Sequence, residues 1–358
     1  MNPSENREPE IENFSPGIAV EISRIEAELS KLWEDSGDAK VRASLINLAI
    51  YTESAAAVGP NTELIAKIAT EHACRALLIF ANRAAETDSA RAWISAHCHL
   101  AGKGGGQICS EQITFQLDGT LSDSLPNVVF SHVDSDLPLC FWCQAPFSEP
   151  IDAQLWRWVD RLIYDSRTWD DPSTQLTLVQ QIGDLAEART ILCDLNWTRL
   201  ISLRFALASI FDHANALRSL REITRVEISH APGSRSSGLL LLGWLAAQLD
   251  WQLDSVLSRH AFRSPDQREV TFELTETAGP CISSLSLEAP GTTIRITREP
   301  EAEFFHGEIR CEGTDPASLR LPAGRESIHD TLRMELGRGG VHPLYHKALK
   351  VISPLFTA

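Results

Sequence analysis

The stretch WISAHCHLAGKGGGQICSEQITF, residues 93–115, gathers most of the residue types that do chemistry: His97, Cys98 and His99, a glycine run, then Cys109 and Glu111. On a strand, side chains alternate faces, so His97 and His99 project together and offer two metal ligands, with Cys109 as a third. Cys98 beside two imidazoles is a candidate activated thiol, and Cys109 a second redox candidate. A glycine run can also cradle phosphate, but Lys103 is followed by Gly104 and not by Ser or Thr. Gln107 stands where a dinucleotide fingerprint would place its third glycine after Gly102 and Gly104. The flanks oppose that reading too. Ile108, Ile113, Phe115 and Leu117 continue as a strand, whereas both phosphate motifs open a helix. Two antiparallel strands joined by a flexible glycine turn account for the segment, which makes it structure before chemistry.

Other motifs are weaker. Cys140 and Cys143 form a C-x-x-C inside the apolar run PLCFWCQ, where positions three apart on a strand face opposite ways. The sequence has neither a G-x-S-x-G elbow nor an H-E-x-x-H helix. No catalytic, cofactor-binding or metal residue is assigned. DRLIYDS (Asp160, Arg161, Asp165, Ser166) and CDLNWTRLISLR (Asp194, Asn196, Trp197, Arg199, Arg204) are rich in polar function. Arginines beside aspartates suit internal bidentate ion pairs, recognition of a phosphate or carboxylate, or a protein interface.

The elements that position these residues alternate in the first half. A helix is expected from Ser15-Pro16, carrying Ile18, Ile22, Ile25, Leu29 and Leu32 on one stripe. Strands follow in RASLINLAIY, RALLIF and DLPLCFWC, with a helix in NTELIAKIATEH capped by Asn61 or Thr62, another over 151–159, and the strand-like RLIYDS. The polar RTWDDPST marks a boundary. Helices are expected at 175–189, as one long element near 198–221, and at 238–250, with a strand in TRVEIS. After residue 265 the period changes to two, as in Val270, Phe272 and Leu274, which marks strands with one wet face. Two helices, near 325–336 and 343–352, close the chain. The fold class is an α/β N-terminal layered domain followed by an α+β C-terminal domain with an antiparallel sheet. Its divisions are a flexible acidic tail over 1–14, a first domain over 15–166 and a second over 167–358.

The net charge of -16 repels phosphate backbones and anionic membranes, so neither nucleic acid nor a membrane is an expected partner. No secretory signal opens the chain and no apolar run spans a bilayer, so a cytoplasmic location is expected, with the eight cysteines reduced and mostly buried.

RALLIF, AWISAHCHLAGKGGGQICSEQITF, LPLCFWC, DRLIYDS, DLNWTRL and GLLLLGWLAAQLDW, in that order, resemble the OpcA family of bacterial glucose-6-phosphate dehydrogenase assembly or activator proteins. The resemblance runs from about residue 40 to about 260, and the combination of SAHCHL, QICSEQIT and DLNWTRL makes it specific. It implies a non-catalytic role: binding glucose-6-phosphate dehydrogenase, favouring its active oligomer and raising its activity. No cofactor is implied. The candidate partner contacts are then His97, His99, Lys103, Glu111, Trp197, Arg199 and Arg204 on an exposed surface. A thiol switch attributed to C-terminal cysteines of cyanobacterial members has only Cys281 and Cys311 to draw on here. The alternative is an enzyme or sensor of sugar phosphates or thiols, with Arg161, Arg199 and Arg204 on phosphate and Cys98 or Cys109 in redox chemistry, all around one pocket.

Overall fold

The computed structural model describes residues 17–34, 40–100, 107–185, 189–254 and 261–356. The chain divides into two compact units. One takes the described residues up to Tyr164 together with Leu178–Cys193 and Leu332–Gly340; the other takes Asp165–Thr177, Asp194–Thr331 and the described part of 341–358.

In the first half the elements are β1 (Ile18–Val20), α1 (Ile25–Glu34), β2 (Lys40–Arg42), β3 (Ile46–Thr52), α2 (Val58–Ala69), β4 (Cys74–Asn82), β5 (Ser89–Leu100), β6 (Gln107–Asp118), α3 (Leu125–His132), β7 (Leu139–Cys143), α4 (Ala153–Trp156), β8 (Arg161–Tyr164), α5 (Pro172–Leu185) and β9 (Ile191–Asp194). The strands form one sheet in the order β1-β5-β6-β4-β3-β7-β8-β9, with β2 on β6. From β6 through β4, β3 and β7 to β8 the pairing is parallel, while β5 and β1 extend one edge antiparallel. Strands from Cys74 to Ala81 and from Leu139 to Cys143 are buried at every position, which is why they read as unbroken apolar runs. The winding of the parallel core starts at β3, builds outward through β4 to β6, then returns to the other side of β3 with β7. That is the doubly wound, Rossmann-like order, and its topological switch point lies between β3 and β7.

The second half continues with α6 (Leu195–Arg199), α7 (Ile201–Ile210), α8 (Ala214–Ser219), β10 (Arg225–His230), α9 (Arg235–Gln248), β11 (Gln252–Leu253), β12 (Ala261–Arg263), β13 (Glu269–Glu276), β14 (Ile282–Ala289), β15 (Thr292–Thr297), β16 (Phe304–Cys311), β17 (Ala317–Pro322), α10 (Ile328–Gly337) and α11 (Pro343–Phe356). Its sheet runs β11-β12-β13-β10-β14-β15-β16-β17, antiparallel except for the β10–β13 pair. Val270 and Phe272 are buried between exposed Glu269, Thr271 and Glu273, so one face of the sheet is wet. α9 is apolar on all sides and buried from Ser236 to Ala246. It packs closely on α11 because Gly243 lacks a Cβ. A methyl there would stand 2.8 Å from Ile352 Cγ2 and 3.0 Å from the Ala348 carbonyl oxygen.

Several local expectations are corrected. Ile18 lies on a strand and Ile22 on a 3-10 turn, because Gly17 at φ +122° holds the chain out of a helix; α1 begins only at Ile25, with Glu26 and Glu28 favourable in its first turn. Ser15 and Pro16 lie outside the described residues. α2 starts at Val58, so neither Asn61 nor Thr62 caps it, and Asn61 bonds Gln144 instead. The helix near 151–159 is the single turn α4, capped by Asp152. The long helix near 198–221 is three pieces. Leu200 breaks the first joint, and His213, extended at ψ 127°, opens the third piece by accepting from the Asn215 amide. Among the described residues no helix is long and apolar enough to cross a membrane.

Candidate functional site

The hairpin forms as its pattern requires: β5 and β6 pair in a single register from Ser89 opposite Asp118 to Leu100 opposite Gln107. That register places Cys98 directly opposite Cys109, and the two are joined by a disulfide. The expectation that all eight cysteines are free thiols is corrected here; the other six are free. The bond also removes Cys109 as a metal ligand beside His97. Instead the His97 imidazole lies 2.7 Å from Gln112 Oε1, and the Gln112 amide donates to Thr62 and Thr114. His99 is half-buried, Cys98 is exposed, and Lys103 lies outside the described residues. Glu111 is not an exposed contact. It is 2% exposed and sits 3.7 Å from the buried Arg75 guanidinium, which also holds Glu26.

DLNWTRL folds into a buried polar network in the second unit. β9 ends at Asp194, whose carboxylate caps α6 by accepting from the Asn196 amide at 2.9 Å. It also accepts from the Ser166 amide at 3.1 Å, the Ser166 hydroxyl at 2.7 Å and the Tyr345 hydroxyl at 3.2 Å. Burial pushes the Asp194 carboxyl up to about 6, against the pull of these donors. Asn196 donates to Ser166 and Ser236 and accepts from Ser237. Arg199 grips Asp165 with two parallel hydrogen bonds of 2.8 and 2.7 Å, while Arg204 stacks 3.7 Å over the Trp197 ring and donates to the Trp197 carbonyl. Trp197, Arg199 and Arg204 are 3, 6 and 9% exposed. The expected exposed patch is therefore corrected to an interior one, since charge–carboxylate and cation–ring pairs let these side chains leave water.

A third locus lies in the first unit. At the carboxyl ends of β3 and β7 a cavity of about 480 Å³ opens, with Phe141, Phe147 and Trp156 in its walls and Glu53, Asp123, Glu149 and Asp152 around it. Arg83, the first residue after β4, donates to Glu53 at 2.9 Å and to Asp123 at 2.7 Å; the Tyr51 hydroxyl donates to Glu53 at 2.7 Å. Burial is the main cause that pushes the Tyr51 phenol up, helped by Glu53. Burial likewise pushes the Cys143 thiol in the wall up to about 12, so it is protonated and poorly nucleophilic. The turn from β3 to α2, where a dinucleotide fingerprint belongs in this topology, reads Glu53-Ser54-Ala55-Ala56-Ala57-Val58. A carboxylate replaces the backbone-only approach that a pyrophosphate needs, and each alanine adds a methyl. These residues do not fit a nicotinamide dinucleotide.

Residues 65–181 match the family model described as the glucose-6-phosphate dehydrogenase subunit N-terminal domain, and residues 190–349 match the one described as its C-terminal domain. Between them they span most of the chain. The chain belongs to the OpcA family. An OxPP cycle protein OpcA from Nostoc punctiforme is 30% identical over 220 residues, 58% of this chain and 46% of that protein. The OpcA of Synechococcus elongatus is 27% identical over 316 residues, 80% of this chain and 68% of that one. The alignments thus span about half to two thirds of these relatives. Among solved structures, aldose-aldose oxidoreductase from Caulobacter crescentus is similar at a TM-score of 0.48 and 12% identity, covering 87% of this chain and 97% of that one. Biliverdin reductase from Synechocystis is similar at 0.46 and 11%, covering 87% and 98%.

The N-terminal OpcA match contains Arg83, Asp123, Glu149 and Asp152 of the crevice with Asp165 and Ser166 of the network, and the C-terminal match contains the rest of the network, from Asp194 to Tyr345. The glycines of this OpcA chain that invite a phosphate reading, at 102 and 104–106, lie outside the described residues. The available signal was YTESAAAVGP, a strand–turn–helix junction with an acid where a fingerprint keeps glycine.

Proposed function

We propose that this chain is a non-catalytic protein that binds glucose-6-phosphate dehydrogenase, favours its active oligomer and raises its activity, and so controls entry to the oxidative pentose phosphate pathway. The observation that carries the reading is the match of both halves to family models described as subunit domains of that dehydrogenase. The first βα turn supports it, because Glu53 and Ala55–Ala57 leave no phosphate cradle at the switch point. Neither buried arginine pair supports sugar-phosphate binding: Arg161 lies 3.5 Å from Glu335, and Arg199 is held by Asp165. An activator must bind the active form of its partner more tightly than the inactive form, and it shifts the equilibrium by no more than that difference.

The test is a rate titration. The dehydrogenase from the same organism is assayed across glucose 6-phosphate concentrations with and without this chain, beside size-exclusion chromatography of the mixture. A saturable rise in rate with a co-eluting complex is expected. Unchanged kinetics and separate elution would refute it. The Cys98–Cys109 disulfide, with Cys98 exposed, favours a second reading as a thiol sensor, so the titration is run on oxidised and on reduced protein.

A further inference from the structure

We infer that the switch-point crevice of the first sheet is the receptor for a basic, extended segment of the dehydrogenase partner. The inference rests on the activator reading above and locates its contact surface on this chain.

Three independent observations converge. Topology comes first: in open parallel sheets the crevice outside the carboxyl ends of the strands, where the winding reverses, is where ligands are received. The cavity lies there, between the ends of β3 and β7.

Charge comes second. Glu53, Asp123, Glu149 and Asp152 are all exposed at the crevice, and among the described residues Arg83 is the one basic residue lining it. Arg83 is already shared between Glu53 and Asp123. The field is therefore negative where this fold usually receives phosphate, so it repels a nucleotide and attracts an ammonium or guanidinium.

Shape comes third. A further cleft shares Glu149, Pro150 and Ile151 with the cavity and runs on to Gln181, Asp184 and Leu185 of α5, adding another carboxylate. A continuous acidic groove of this kind fits several residues of chain better than one small amine. The Trp156 ring, 8% exposed and backed edge to face at 5.4 Å by the fully buried Phe141, offers a small aromatic surface on which the alkyl stem of Lys or Arg can lie with its charge toward the carboxylates.

The measurement is the affinity of this chain for purified glucose-6-phosphate dehydrogenase by biolayer interferometry, with the double variant Asp123→Lys/Glu149→Lys. A control variant, Glu269→Lys, reverses an exposed carboxylate on β13 of the other unit. Circular dichroism and elution volume establish that each variant is folded. The double reversal is expected to weaken binding by on the order of tenfold or more, with little effect of the control. Raising salt from about 50 to about 300 mM should weaken the native chain more than the double variant, because the screened contacts are those the variant has lost. Binding that survives the double reversal would overturn this inference and leave the activator reading standing; absence of binding by the native chain would overturn both. Spermidine is titrated alone: saturable binding lost in the double variant would replace the protein segment by a small polyamine and overturn the assignment. NADP+ is titrated likewise, and binding that the reversals strengthen would mark a nucleotide crevice and overturn it too.

Discussion

Replacing Arg199 by alanine removes a guanidinium that is 6% exposed and leaves the Asp165 carboxylate, its partner through two short hydrogen bonds, unpaired in the interior. Breaking a buried pair from one side costs roughly 3–5 kcal/mol where the surviving charge has neither water nor a partner; Asp165, half-buried and still bonded to the Arg167 amide, should fall toward the lower end. Asp165→Ala should cost a similar amount, plus a contribution of about 1 kcal/mol from the cap that Asp165 gives the Arg167 amide. With both residues changed to alanine no orphan charge remains, so the double variant should lose clearly less than the sum, by roughly 2–3 kcal/mol. Arg199→Lys keeps the charge and loses the parallel pair of bonds, and it should fall between. The assay is equilibrium urea denaturation of the four variants beside the native chain, read by fluorescence of the nine tryptophans, with slopes compared before midpoints. A single Arg199→Ala loss below about 1 kcal/mol, or strict additivity in the double variant, would refute the claim that this pair is a desolvated unit.

Three further outcomes follow from the same geometry. Because burial raises the Asp194 carboxyl above its ordinary value, its contribution is fully present while it is protonated, below about pH 4, and is lost as pH rises through about 6. A rise from about 4 to about 6 corresponds to roughly 3 kcal/mol, so Asp194→Asn should gain up to that amount relative to the native chain between pH 4.5 and 7.5; a gap that does not move with pH refutes it. Gly243→Ala should lower stability by about 1–2 kcal/mol although alanine is the better helix former, since its methyl meets Ile352 and the Ala348 carbonyl; a stabilised variant in urea denaturation would show that α9 and α11 can part. Thiol titration of the unfolded, unreduced protein should count six thiols, and eight after reduction. In the folded protein Cys281 and Cys311, both half-buried, should react before Cys74, Cys140, Cys143 and Cys193, which are buried.

Much of the fold was legible because burial on two faces and on one face leave different marks in a sequence. RALLIF and PLCFWC announced strands covered on both sides, and the alternation after residue 265 announced a half-wet sheet. The parallel β10–β13 pairing was not legible, since no local pattern says which distant strand lies alongside. The Cys98–Cys109 bond was within reach: residues 98 and 109 are symmetric about a turn centred between 103 and 104, so assuming that hairpin centre puts them opposite. Trp197, Arg199 and Arg204 were expected on an exposed surface, and the structure buries all three. Residue type shows that an arginine needs an acid, but the acid here is 34 positions away, and only the fold shows that the pair closes inside.

The order in which the chain is laid down has its own consequence. Arg161, at the start of β8, is 7% exposed and lies 3.5 Å from Glu335, which is fully buried, and both belong to the unit that begins at the amino end. A ribosome releases Arg161 long before Glu335, with the intervening residues mostly assigned to the other unit. During synthesis, then, the first sheet waits with an unmatched interior cation until nearly the whole polypeptide has emerged. Both units are completed only by segments that follow residue 331, so a messenger truncated before residue 332 would yield neither half intact.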